Sequence, residues 1–378
     1  MTKLEEIIKE EERKLNEIYL RANTKSKRKK IVRDLLSFKQ ICNEHFNIDK
    51  KFIWEDDDEI LKLLTNYRLP FVENIIDNSE TDNEIFKNTL ALFIEENYNS
   101  YKYYEHKYQR LTDYEEQEII LEFLNTYDPK LAKAFEEKLI NAELFYANLD
   151  NYKGLTYSLG SINKNLMFYM PLINESIDCT ATIVHEFGHS FEMNLFYSVG
   201  HKNYLDIAYQ KPYFEIVSRF FEYAFLNYLK ENRILLEDAN KRIHHSLFDL
   251  LSRAFNINLI YQMEEINIDE CDNIFLDEDN LEKYASEVQD VLNYHMFPSS
   301  KGDIIKFRDS FIYGIGDLLS IYLYESYKED PINFKKELKT ALLTYPYRDD
   351  LSSFETLGIT EEKLINGKEL KRILKDSK

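Results

Sequence analysis

The sequence predicts a mainly α protein, and three observations carry that prediction. Nine glycines and seven prolines in 378 residues are about a third of the usual share, too few for turn-rich β-sandwiches, collagen-like repeats or Gly/Ser linkers. Apolar residues recur at helical spacing along much of the chain, and only one stretch, near residues 155–170, reads as strands. The length suffices to bury a sizeable core in one to three domains.

From Lys3 to Arg21, Leu4, Ile7, Ile8, Leu15 and Ile18 fall on a helical face, and similar patterns cover Lys27 to Glu44 and Glu84 to Arg110. The first 150 residues therefore read as a series of amphipathic helices. The character changes near Leu149 to Gly160. Here Leu155-Thr-Tyr-Ser-Leu159 and Leu166-Met-Phe-Tyr-Met170 flank Gly160-Ser-Ile-Asn-Lys-Asn165, a pattern expected of a β-hairpin or two short strands. After Pro171 the helical period resumes. Ser176 can cap a helix running to about Val199, stopped by Gly200, and Pro212 opens another to about Lys230. Further helices are expected over Glu237 to Glu264, Asn280 to Met296, Ile304 to Tyr327, Pro331 to Thr344 and Thr360 to Lys375. We divide the chain into a helical region, 1–150, and a region, 151–378, that holds the residues able to do chemistry.

Charge and composition exclude several functions. The formal net charge of −20 opposes binding to phosphates, and the basic stretch Lys25 to Arg33 reads as the solvated start of a helix, so nucleic acid is not an expected partner. No apolar run approaches 18 residues, and the opening MTKLEEIIKE is charged where a signal peptide needs apolar residues. A soluble cytoplasmic protein without membrane contact is expected. Cys42, Cys179 and Cys271 are far apart and odd in number, which suggests reduced thiols and neither a disulfide framework nor a cysteine metal site.

The chemistry concentrates at His185-Glu186-Phe187-Gly188-His189. Residues four apart share a helix face, so both imidazoles can reach one zinc ion while Glu186 lies within reach of its water. Chance alone would produce about 0.03 such H-[D/E]-x-x-H matches in a chain of this composition. The ordinary alternative is a surface helix with two histidines. Against it, Ala181, Ile183, Val184, Phe187, Phe191, Leu195 and Phe196 make the helix apolar on both sides of the motif, which places the imidazoles inside, where they need partners.

A catalytic zinc takes three protein ligands and a water. Downstream, Glu215 and Glu222 stand seven residues apart on one helix face, and either carboxylate can complete a His2Glu set. The competing assignment pairs Glu215 with Arg219 at i+4 as a salt bridge.

The His185-Glu-Phe-Gly-His189-Ser segment, followed after 25 residues by Phe214-Glu215-x-x-Ser218-x-x-x-Glu222, resembles the thimet oligopeptidase/oligoendopeptidase F family of zinc metallopeptidases. Leu166 to Ile173 and Asp178 to Val184 extend the likeness. The resemblance implies a two-lobed helical metallopeptidase with a small β-hairpin or sheet next to the active-site helix and a deep substrate groove, one wall formed by region 1–150. It implies one Zn2+ per chain on His185, His189 and Glu215, with Glu222 positioning a ligand histidine. Phe307 to Gly316 echoes a tyrosine-rich family segment in which Tyr313 is the counterpart of a tyrosine that helps stabilise the oxyanion. Where the family carries a histidine just upstream, Asp303 stands here, and His295 is the nearest candidate for that role in substrate binding. Tyr313 is also one of 28 tyrosines, and its alternative is a place in the core.

The expected activity is hydrolysis of short unstructured peptides, with Glu186 as general base and Tyr313 as oxyanion donor. Two other readings compete: a zinc protease devoted to one folded protein, and a catalytically silent helical scaffold with structural zinc. Glu186 argues against the scaffold, because a structural site has no use for a base.

Overall fold

The computed structural model describes residues 3–22, 24, 79–96, 108–140, 144–146, 155–159, 164–169, 176–199, 213–261, 307–345 and 351–376. The expected helices over 27–44 and 280–296, with His295, lie outside the described residues. Within them the chain is mainly α, with eleven α-helices and a three-stranded sheet. No helix among the described residues is long and apolar enough to cross a membrane. The packing falls into two compact units that alternate along the sequence, 1–70 with 110–210 and 71–109 with 211–378.

The first unit contains α1 (Lys3–Arg21), α3 (Asp113–Tyr127), α4 (Pro129–Ile140), β1 (Leu144–Tyr146), β2 (Leu155–Leu159), β3 (Lys164–Tyr169) and α5 (Ile177–Ser198). α3 begins at a reciprocal cap. The Thr112 hydroxyl accepts from the Glu115 amide, and the Glu115 carboxylate accepts from the Thr112 amide at 2.8 Å, satisfying donors a helix start leaves open. Pro129 opens α4, where the missing amide hydrogen costs nothing. β2 pairs antiparallel with β3, Leu155 opposite Phe168, while β1 adds in parallel on the other side, Leu144 opposite Met167. The order β1-β3-β2 leaves β3 in the centre. β1 has three residues, too few for alternation to stand out in the sequence.

α5 packs against β2, β3 and α3. Residues 183–190 are all buried, as the unbroken apolar flanks of the motif require. Phe187 meets Phe135 of α4 edge to face at 5.4 Å. On the α3 side, the Thr180 hydroxyl donates to the buried Glu116 carboxylate at 3.1 Å. α5 is thus packed on two sides.

The second unit contains α2 (Ser79–Glu95), α6 (Ile216–Asn232), α7 (Leu236–Tyr261), α8 (Phe307–Glu329), α9 (Pro331–Thr344), a 3-10 segment (Leu351–Leu357), α10 (Glu361–Asn366) and α11 (Lys368–Asp376). α8 is the central rod. It packs on α6, α7, α9 and α11, and Phe311, Ile315, Leu318, Leu319, Tyr322 and Leu323 are buried along it. The helix expected from Pro212 starts instead at Ile216, after a turn over residues 213–215. The single helix expected over 360–375 is two, because Gly367 adopts a left-handed φ of 65° and ends α10.

Candidate metal centre

Three side chains named from the sequence converge. The ligating atoms of His185, His189 and Glu215 lie within 4.8 Å of one another, and all three residues are buried. The two imidazoles come from successive turns of α5, with ring centroids 5.0 Å apart at an interplanar angle of 83°. Glu186 follows His185 on the same buried helix and is itself only 6% exposed.

Glu215 occupies the position preceding α6, with φ −89° and ψ −1°. A carboxylate there ordinarily folds back onto the first amides of the helix, yet Glu215 makes no such capping bond. Its carboxylate instead accepts a hydrogen bond from the Ser218 hydroxyl at 2.9 Å, and the same hydroxyl lies 2.9 Å from the Glu215 carbonyl oxygen. Ser218, fully buried, therefore fixes the orientation of the carboxylate. The sequence offered Ser218 as part of a motif without a task; its task is visible only once the turn before α6 is built.

Two nitrogens and one carboxylate oxygen, gathered in the interior, form a donor set suited to a divalent metal ion. Three protein ligands are the number used where an open position is needed, whereas a structural site closes with four. Among the described residues this is the cluster of metal-ligating type.

Glu222 is buried on α6 between two guanidinium groups. It accepts from Arg219 Nη1 at 3.0 Å and from Arg242 Nη2 of α7. Arg219 also lies 3.3 Å, through Nε, from Asp317 of α8, and Asp317 in turn pairs with Arg253 of α7. Burial works to lower the Arg219 pKa, but Asp317, Glu222, Glu215 and Tyr313 outweigh it and hold the guanidinium charged. The i+4 salt bridge weighed for Glu215 and Arg219 is thus replaced by a wider network, in which the described ion pairs of Arg219 go to Glu222 and Asp317. Tyr313, on α8, has the Arg219 and Arg253 guanidinium carbons 5.0 and 5.3 Å from its ring centroid. Arg242, Arg253 and Asp317, and the network they build around Arg219, escaped the sequence reading, because residues 64 apart on different helices share no local pattern.

No protein-family model matches the chain, and no curated protein matches it in sequence. Its fold does have solved relatives. A protein assigned as oligoendopeptidase F from Bacillus anthracis str. Ames superposes with a TM-score of 0.55 at 12% identity, over 95% of this chain and 69% of its own. PZ peptidase A in complex with an inhibitor gives 0.54 at 12% identity, over 96% and 71%. A protein assigned as a peptidase from Chlamydophila abortus gives 0.52 at 14% identity, over 93% and 61%. The chain has the helical oligoendopeptidase-type fold.

Proposed function

We propose that the protein is a zinc-dependent endopeptidase of short, unstructured peptides. The observation that carries the proposal is the buried His185, His189 and Glu215 cluster with Glu186 beside it on the same helix; the oligoendopeptidase-type fold supports it. His185, His189 and Glu215 would hold the ion, which when bound supplies Lewis-acid polarisation of the scissile carbonyl and a water of lowered pKa.

The protein's own groups do the rest. Glu186 accepts a proton from the attacking water and delivers it to the leaving amine, the role of a positioned general base that becomes a general acid. Tyr313 donates its hydroxyl hydrogen to the oxygen on which negative charge develops. β2 sits at an edge of the sheet packed on α5, and offers main-chain groups with which an extended peptide can pair. Such pairing reads backbone and tolerates many side chains, in keeping with peptide substrates of varied sequence.

Mass spectrometry of a mixed peptide library and a panel of folded proteins, after incubation with the purified protein, tests the proposal. Cleavage of the peptides, abolished by a chelator and restored by zinc, is the expected result, with the folded proteins intact. Efficient cleavage of one folded protein at an ordered site would favour a dedicated protease, and no cleavage of either would leave a metal-binding scaffold.

A further inference from the structure

Five charged groups of alternating sign run through the second unit in the order Arg242, Glu222, Arg219, Asp317, Arg253, drawn from α6, α7 and α8. Arg219 is its middle member and has three described engagements. Nη1 donates to Glu222, Nε lies 3.3 Å from an Asp317 carboxylate oxygen, and the guanidinium carbon stands over the Tyr313 ring, 5.0 Å from its centroid. Charge is thus placed at three points around one guanidinium, which spreads over several nitrogens; a lysine ammonium is a single point charge.

The helices around Arg219 are also in close register. A Cβ added at Gly316 would stand 3.2 Å from Arg219 Cγ, 3.2 Å from Glu215 Cβ and 3.3 Å from the Glu215 carbonyl oxygen. The α8 backbone therefore rests directly on the turn of chain that runs from Glu215 to Arg219. Tyr313 precedes Gly316 by three residues and faces the same side, so its ring is delivered to Arg219 close to the Glu215 end of α6. On its α7 side Arg253 provides the second cation, itself anchored by Asp317.

We propose that Arg219 is a positioning residue for Tyr313: with Asp317 and Arg253 it clamps the aromatic ring, fixing where the Tyr313 hydroxyl points, while Ser218 separately orients the Glu215 carboxylate. The inference rests on the peptidase reading for its catalytic consequence, but the clamp itself does not. A tyrosine on a helix has two rotatable side-chain bonds, and cations held over the ring favour one arrangement of them. An oxyanion donor is effective only when its geometry is set before the reaction.

The test uses Arg219→Lys, which keeps the charge and removes the fork, in the full chain. First, 3-fluorotyrosine placed at position 313 reports ring position by 19F NMR without any turnover. The parent should give one narrow line, and Arg219→Lys should broaden or split it. Second, kcat for a short peptide should fall roughly tenfold to a hundredfold, the effect of displacing a catalytic group by about an ångström, with KM little changed. Zinc affinity, measured by competition with a chromophoric chelator, should stay within about threefold of the parent, because the metal set is held by other contacts. Third, Arg219→Lys combined with Tyr313→Phe should lower kcat no further than Tyr313→Phe alone. An unchanged 19F line overturns the clamp. Additive losses in the double variant, or zinc affinity falling in step with kcat, overturn the positioning role. A parent chain that hydrolyses no peptide would refute the peptidase reading and leave the 19F result to decide the clamp.

Discussion

The contact between α8 and the turn before α6 can be measured by two substitutions two residues apart. Gly314 and Gly316 both lie inside α8, so alanine at either position gains about 1 kcal/mol of helix propensity. What differs is the space. At Gly314 a new Cβ would meet Phe86 Cε1 at 3.2 Å, with Arg253 Cβ and Ile257 Cδ1 at an ordinary 3.4 Å. All three are side-chain atoms, and a shift of a few tenths of an ångström by one ring edge relieves the tightest. At Gly316 all three contacts are tight, and two belong to the backbone carbonyl and Cβ of Glu215, which can retreat only if helices part. Overpacking of that kind costs about 1–3 kcal/mol. Gly314→Ala should therefore be close to neutral, and Gly316→Ala destabilising by about 1 kcal/mol, a separation of about 1 kcal/mol between the two after the common propensity gain cancels. Thermal unfolding of both variants beside the parent, where about 1 kcal/mol is a few degrees, checks the order. Gly316→Ala melting at or above Gly314→Ala would show that α8 does not rest on the Glu215 turn.

Three further outcomes follow from the same contacts. Ser218→Ala removes the hydroxyl that orients Glu215 and should weaken zinc binding about 10 to 100-fold in chelator competition, as losses of groups behind a ligand do. His185→Ala, His189→Ala or Glu215→Ala should each lower zinc content of the purified protein by elemental analysis, and full retention by Glu215→Ala would move the ligand role elsewhere. The amide and hydroxyl of Thr112 hold the Glu115 carboxyl below its ordinary 4.5, so this cap's stabilisation is complete above that pH and is lost as pH falls through the lowered value; Thr112→Ala should raise the midpoint of acid unfolding.

What the sequence revealed and what it hid divide along physical lines. His185 and His189 were legible because a four-residue spacing fixes a shared face on any helix, and the flanking apolar residues announced that the face is interior. Helix ends were legible where a cap or a stop is a single residue type: α5 and α9 start within a residue of the positions Ser176 and Pro331 indicate. The break at Gly367 was hidden, since a glycine inside a periodic pattern can stay helical or turn left-handed and the periodicity on both sides is the same. The tie between Ser218 and Glu215 was hidden although both residues were in view, because the bond exists only with Glu215 just outside the helix. The Arg219, Asp317 and Arg253 cluster was hidden most deeply, its members meeting only when three helices pack.

Glu186→Gln tests the central claim most directly. The amide keeps the shape of the side chain but cannot take a proton from water. Purified in parallel with the parent and assayed for zinc content, thermal melting and hydrolysis of a short peptide, the variant should hold the same zinc and melt at the same temperature while losing almost all turnover. Hydrolysis near the parent rate would contradict the mechanism, whatever the zinc content.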